Sequence, residues 1–340
     1  MTRTELVSGS DRRLSAEISD VLPQIAVDLT SLTVEVRGEV CTAGTLAALR
    51  ADLARLIYRR FHQGLAENGH ADAESARDRR FEQQAADLVP HEFRQSRAVP
   101  MKSEGGSMLV GVNGVRVWVP KAHVYDEGVG SGADDIGVLL PAARPMLSPG
   151  YLLVDSSRQQ AWTSEDPVLR VYVGLSDTDT ALLTWRKILR DLENENFGYR
   201  AKLLVRAKNY PQRDAIVVYL RPEAKGALPV VRRAVSSAGG ASERTSPFAR
   251  QVAAGVAIAW EPDGGQVRSR RLSFGEHRSR AVADGIVDHA LQATHPLSDI
   301  VASALVAANI DPSEPYRNLN SPELDQSFLD GASCPCPGCQ

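Results

Sequence analysis

Between Phe197 and Pro222 the chain reads FGYRAKLLVRAKNYPQRDAIVVYLRP. Arg200, Lys202, Arg206, Lys208 and Arg213 all precede its first acid, Asp214. If residues 199–208 form a strand, successive side chains alternate between two faces. Tyr199, Ala201, Leu203, Val205 and Ala207 then make an apolar face. Arg200, Lys202, Arg206 and Lys208 share the other, interrupted only by Leu204. Arg213 follows a Tyr-Pro turn that can fold it back towards them. A solvated amphipathic strand is the plain alternative. This face, however, is single-signed, and like charges two residues apart repel unless an anion offsets them. The pattern favours an anion site.

A second basic stretch, VRSRRLSFGEHRSR, places Arg268, Arg270, Arg271, Arg278 and Arg280 around a helix start. Free backbone N–H groups at a helix N-terminus suit phosphate, and arginine forks add bidentate charge-assisted bonds. The family resemblance described below places the two clusters in one domain, and a reaction that would use them is phosphate elimination from phosphoserine or phosphothreonine. That reaction needs a base for a weakly acidic α-proton and cations for the departing dianion. Lys202, flanked on its face by Arg200 and Arg206, fits a lysine base whose pKa its neighbours depress. Arg200, Arg206, Arg213, Arg271 and Arg278 are the candidate phosphate ligands, supplying preorganised charge. The proton donor stays open between His277, beside Arg278, Tyr219 at the end of the next strand, and His62; His277 is preferred.

The elements expected to hold these residues predict an α+β fold. Its core is a mixed or antiparallel sheet with packed helices, and the N-terminal region, residues 1–95, is mostly helical. Leu46, Leu49, Leu53, Leu56 and Ile57 recur at helical spacing, with Gly64 as a stop. Asn113-Gly114 sits between two β-rich runs as a type I′ hairpin turn. VLLP and SPGYLLVD read as a strand pair, and VLRVYVGL as a short apolar strand. Leu182, Trp185, Leu189 and Leu192 form one helical stripe behind the capping residues Ser176 and Asp177. DAIVVYL reads as a central strand and GVAIAW as a further one. Ser273 and Glu276 match a capping box that starts a helix at Phe274 or Gly275. Residues 96–320 make up the catalytic core, and 321–340 a disordered tail with Cys334, Cys336 and Cys339.

Bulk composition narrows the classes. The 340 residues are 43% hydrophobic and 24% charged, with a formal net charge of -3, the profile of a globular protein able to bury a core. That balance gives no global reason to expect nucleic acid or an acidic membrane. No stretch approaches the roughly 20 apolar residues of a membrane span. The start lacks a secretory h-region and the body holds one cysteine, Cys41, so a cytoplasmic protein without a disulfide framework is expected. GVGSGADD lacks the context of a nucleotide loop, and three tail thiols fall short of a zinc site. No cofactor or metal is expected.

Several segments, in this order, carry a family resemblance. They are LIYRRFHQG, GVRVWVP, LSPGYLLVD, LRVYVGL, FGYRAKLLVRAKNYPQRDAIVVYL, SPFARQVAAGVAIAWEP and SFGEHRSRAVADGI. Together they resemble the HopA type III effector family over roughly residues 45–293. Bacterial relatives of that family accompany a kinase-like phosphotransferase in class V lanthipeptide and thioamitide biosynthesis. The resemblance thus implies the lyase half of a two-protein Ser/Thr dehydratase, with a precursor peptide and a phosphotransferase-like kinase as partners. A more distant likeness to phosphothreonine lyases of the OspF and SpvC type implies a lysine base and an arginine-lined phosphate pocket. Those lyases use a histidine acid ahead of the lysine, where this sequence has Arg170 and Tyr172 instead. Two other readings stand beside this one: a non-catalytic module that binds precursor or kinase, and an effector acting on a cellular phosphoprotein.

Overall fold

The computed structural model describes residues 13–65, 78–125, 135–158, 166–224, 226–262, 272–292 and 294–324. The expected glycine-rich loop (126–134), the basic loop through Arg268, Arg270 and Arg271, and the cysteine-bearing tail lie outside them. The chain divides into two compact units, Met1–Ala71 with Pro211–Asp214 and Ser242–Glu323, and Asp72–Tyr210 with Ala215–Ala241 and Leu324–Gln340. The units interleave in sequence.

The first unit opens with α1 (Ala16–Ser19) and a meander of β1 (Ile25–Asp28), β2 (Thr33–Val36) and β3 (Glu39–Thr42). Among the described residues, the N-terminal region thus holds a three-stranded sheet beside its helices. Of these short strands, TVEV buries one side, with Val34 and Val36 inward, a period-two signal too brief to stand out in sequence. The turn from β2 to β3 consists of Arg37 and Gly38, both at positive φ (49° and 80°), the type I′ geometry that matches strand twist. Helix α2 (Leu46–Ile57) follows, with the Thr45 side chain accepting from Ala48 N–H and Leu49, Leu53, Leu56 and Ile57 buried. It continues as one wide π-helical stretch, Tyr58–Gln63, and ends at Gly64 in the left-handed region (φ 76°).

The second unit begins with α3 (Arg79–Asp87) and contains two sheets. In one, β4 (Phe93–Glu104) pairs with β5 (Ser107–Val112), which turns at Asn113-Gly114 into β6 (Val115–Pro120). On its other side β4 pairs with β8 (Ile136–Pro141), beyond which lies β7 (Val124–Tyr125). Val110, Val112, Val119 and Val138 form the core of this sheet. The other sheet runs β11 (Leu169–Leu175), β13 (Gln212–Leu220), β12 (Arg200–Leu204), β10 (Tyr151–Asp155) and β9 (Ala143–Ser148). SPGYLLVD thus supplies the β9–β10 turn, while VLLP belongs to β8. Helices α4 (Thr178–Asn194) and α5 (Ala227–Ala238) pack together in this unit. Trp185 of α4 is fully buried and donates its indole N–H to Ala85 O of α3 at 3.1 Å.

The chain returns to the first unit with the hairpin β14 (Arg250–Ala253) and β15 (Val256–Trp260), then α6 (Phe274–Leu291) and α7 (Leu297–Ala307). Helix α6 packs on α2 and α7. Its capping box is formed as the sequence predicts, Ser273 Oγ accepting from Glu276 N–H and Glu276 accepting from Ser273 N–H at 2.7 Å. Among the described residues no helix is long and apolar enough to cross a membrane. Ser273→Ala should lower stability by about 1 kcal/mol in denaturant titration; an unchanged midpoint would show that the box is redundant.

Candidate anion-binding site

A cavity of about 820 Å³ in the first unit is walled by Arg37, Arg60, Arg213 and Arg244. Each arginine comes from a different local device. Arg37 occupies the first left-handed position of the β2–β3 turn, where Asn, Asp or Gly is the usual choice. Its Nε donates to Gln24 Oε1 at 2.7 Å, and its guanidinium lies 4.4 Å from the Phe61 ring centre. Arg60 rides on the π-helical stretch, is 2% exposed, and pairs through Nε with Glu39 Oε2 at 3.1 Å. Arg213 donates from Nη1 to Phe61 O at 2.5 Å, meeting a carbonyl at the disturbed helix end. Arg244 is exposed on the loop that also supplies Ser242 and Glu243 to the wall.

These cations feel one another. Burial first, then Arg37 and Arg244, draw the Arg213 guanidinium down to about 10. Burial, Arg244 and Arg60 likewise draw Arg37 below its ordinary value. Both remain charged at neutral pH, so the cavity gathers four guanidiniums against Glu243 at its wall and Glu39, which pairs with Arg60. π-helical distortions and residues held at unusual φ recur at functional sites, and both occur here. Gly64 makes room for the arrangement, since a Cβ at this position would stand 2.7 Å from Arg213 Nε.

Behind the cavity lies a buried polar hub. His62 Nδ1 is 2.9 Å from Ser246 Oγ, and His62 Nε2 is 3.9 Å from Asp214 Oδ2. Asp214 Oδ1 accepts from Gln212 Nε2 at 2.5 Å. Tyr58 stacks on the imidazole at 5.4 Å and Phe274 tilts against it at 5.9 Å. Gly275 permits the fit, because a Cβ there would meet His62 Cδ2 at 2.3 Å. The residue types are those of a Ser-His-Asp triad, yet His62, Asp214 and Ser246 are 3%, 4% and 5% exposed. A hydroxyl this enclosed is closed to an incoming substrate, so the hub braces structure. It joins the three segments that carry Arg60, Arg213 and Arg244.

The predicted site residues divide among different environments. Strand β12 stops at Leu204, so Arg206 and Lys208 lie beyond it, Lys208 in a single 3-10 turn over Ala207–Asn209. The ten-residue basic face is reduced to Arg200 and Lys202, half-buried side by side between inward Ala201 and Leu203. Arg200 Nε pairs with buried Asp155 Oδ1 at 2.6 Å. An anion does sit on that face, and it is the protein's own carboxylate. Lys202 Nζ stands over the Tyr151 ring at 4.2 Å, a contact that holds a cation. Arg170 lies over the Tyr219 ring at 5.1 Å. Arg206 packs across Gly150, 2.9 Å from where a Cβ would be. Lys202, Arg200, Arg206 and Tyr219 belong to the second unit; Arg213, His277 and Arg278 belong to the first. Arg271 is outside the described residues.

Arg278 is fully buried. Its Nε donates to Pro315 O at 3.1 Å, Nη2 to Asn318 Oδ1 at 2.8 Å, and Nη1 to His277 Nδ1 at 2.8 Å. This is a core tie rather than a ligand-facing fork. Because a guanidinium only donates, His277 Nδ1 must carry a lone pair. Burial and the Arg278 charge draw His277 down to about 4. It is neutral at pH 7 and ill-suited to act as a cationic acid there. Arg37, Arg60 and Arg244 lie outside the two conspicuous basic segments of the sequence. Arg37-Gly38 before a β-branched strand was the legible signal, while Arg60 in YRRFHQG resembled an ordinary helix end.

With this geometry established, comparison with known proteins places the chain. A family model described as the HopA1 effector protein family matches residues 142–317, and the chain belongs to that family. The matched span includes Arg213 and Arg244 but not Arg37 or Arg60. Two solved effector proteins show similarity to the chain. One, from Pseudomonas syringae pv. tomato strain DC3000, is 15% identical with a TM-score of 0.46, over 79% of this chain and 90% of the other. One from Pseudomonas syringae pv. syringae strain 61 is 13% identical with a TM-score of 0.41, over 80% and 92%. No curated protein matches.

Two measurements check this description. Gly64→Ala should cost about 1–3 kcal/mol in chemical denaturation by straining the left-handed turn and displacing Arg213; wild-type stability would contradict the contact. Between pH 6.5 and about 4 the unfolded chain protonates His277 while the folded protein does not. Stability should therefore be complete above pH 6.5 and fall as the pH drops towards 4, by up to about 3 kcal/mol. His277→Asn should flatten that part of the profile, and an unchanged slope would refute the assignment.

Proposed function

We propose that this protein binds phosphoserine or phosphothreonine of a peptide substrate and eliminates the phosphate, as the lyase component of a two-protein Ser/Thr dehydratase. The observation that carries the reading is the cavity with four guanidinium groups. Cations that already repel one another gain most from a dianion, and arginine matches phosphate geometry bidentately. The cavity volume exceeds that of a phosphate group alone, leaving space for the phosphorylated residue.

In the proposed reaction a base removes the α-proton. The released electron pair becomes the Cα=Cβ double bond, and the Cβ–O bond breaks so that phosphate departs with that oxygen. Arg37, Arg60, Arg213 and Arg244 would offset the charge gathering on the leaving group. Lys202 is retained as the proposed base on sequence grounds alone, since its ammonium rests on Tyr151. Phosphorylation would come from a separate kinase-like phosphotransferase acting on the same ribosomal precursor, in the cytoplasm. No cofactor enters this scheme.

The test gives the purified chain a synthetic phosphoserine peptide and follows loss of phosphoric acid by mass. Turnover is expected, with Arg213→Ala and Arg244→Ala each reducing kcat/KM by about tenfold or more, about 1.4 kcal/mol. Lys202→Ala should abolish it while leaving phosphopeptide binding intact. Binding without turnover in the wild type would replace the lyase by a recognition module, and no binding would overturn both readings.

A further inference from the structure

Strand β9 is the outermost strand of its sheet, with β10 as its neighbour, and such an edge offers backbone groups to an added chain. Two large apolar side chains stand out from it, Met146 at 71% and Leu147 at 60% exposure. Met146 takes a positive φ of 69°, and the β9–β10 register slips between Tyr151 and Leu153. A distorted backbone that holds an apolar side chain in solvent needs a compensating contact. Met146 also borders a cavity of about 260 Å³, lined by the apolar Pro149, Tyr151 and Val205 and by the charged Glu82 and Arg206.

The other end of β9 is basic. Arg144 of β9, Arg94 of β4 and Arg200 of β12 converge on the single carboxylate of Asp155, at 2.5, 3.3 and 2.6 Å. Three guanidiniums thus share the Asp155 carboxylate. The nearby Glu193 is engaged elsewhere, accepting from Ser157 N–H and Ser157 Oγ and lying 3.5 Å from His91 Nδ1. Burial, Arg200 and Arg94 together draw Arg144 down to about 10 despite the attraction of Asp155. Arg144 and Arg200 keep 27% and 29% of their side chains open to solvent. The edge thus presents a basic end at Arg144, two exposed apolar residues and a pocket, and a second cation at Arg206, over about 20 Å of strand.

We propose that the β9 edge is a docking surface for an extended acidic peptide segment whose carboxylates are separated by apolar residues. Acids would meet the Arg144–Arg200 end and Arg206, and an apolar side chain between them would enter the pocket beside Met146. Recognition here concerns unphosphorylated peptide. It is independent of the four-arginine cavity in the first unit.

Fluorescence anisotropy of the full chain with a fluorescein-labelled alternating Glu-Leu peptide of about eight residues tests this. Saturable binding is expected, at least about tenfold tighter than for the matching Lys-Leu peptide. Met146→Asp and Arg206→Glu, both at positions lining the pocket, should each weaken it about tenfold, and Arg144→Glu should do so where that variant melts cooperatively. Arg213→Ala should leave it unchanged. Equal affinity for both peptides, or unaltered binding in both Met146→Asp and Arg206→Glu, would overturn the proposal. So would a dimer, seen by light scattering, that Met146→Asp dissociates, because the edge would then serve a second copy of this chain.

Discussion

The first unit is organised around one buried imidazole. His62 touches Ser246 from the loop after Thr245 and lies near Asp214 at the start of β13, while Tyr58 and Phe274 clamp its ring. Tyr58 lies two residues before Arg60, Asp214 follows Arg213, and Ser246 lies two residues after Arg244, each of these arginines a wall of the cavity. A polar group at this depth is costly unless it is satisfied, and the surrounding glycine at 275 exists to admit it. Cavity geometry therefore depends on a hub that never meets the ligand.

The second constraint is charge. Four arginines are brought together by a hairpin turn, a π-helical stretch, a strand start and a loop, elements that close an ordinary core without needing cations there. Burial first, and then the neighbouring arginines, draw Arg37 and Arg213 below their ordinary values. Basic groups elsewhere meet internal partners. Asp155 gathers Arg94, Arg144 and Arg200, and Arg278 is tied to Pro315 and Asn318. In the cavity Arg37, Arg60 and Arg213 also have internal partners, but there four guanidiniums line one shared space.

Local signals were legible where they are strong and short-range. The α+β class, the Asn113-Gly114 hairpin, the α4 stripe and the Ser273 capping box each rest on spacing within a few residues. Family membership was also readable from segment order. The site was legible only through Arg213. A strand extended to Lys208 looked reasonable by alternation, but the chain turns after Leu204, which no period-two pattern can announce. Arg37 and Arg60 come from regions far from the conspicuous basic segment, and only tertiary folding brings them to Arg213. Arg200 illustrates the converse: a basic face calls for an anion, yet sequence does not say whether the protein supplies it.

The central claim is that the four-arginine cavity holds a phosphate group on a peptide. Isothermal titration calorimetry with one serine peptide, phosphorylated and unphosphorylated, at fixed ionic strength tests it most directly. The phosphorylated form should bind at least about tenfold tighter, or about 1.4 kcal/mol, and Arg213→Met together with Arg244→Met should remove the difference. Equal affinity for the two peptides in the wild-type protein, or a preference that survives both substitutions, would contradict it.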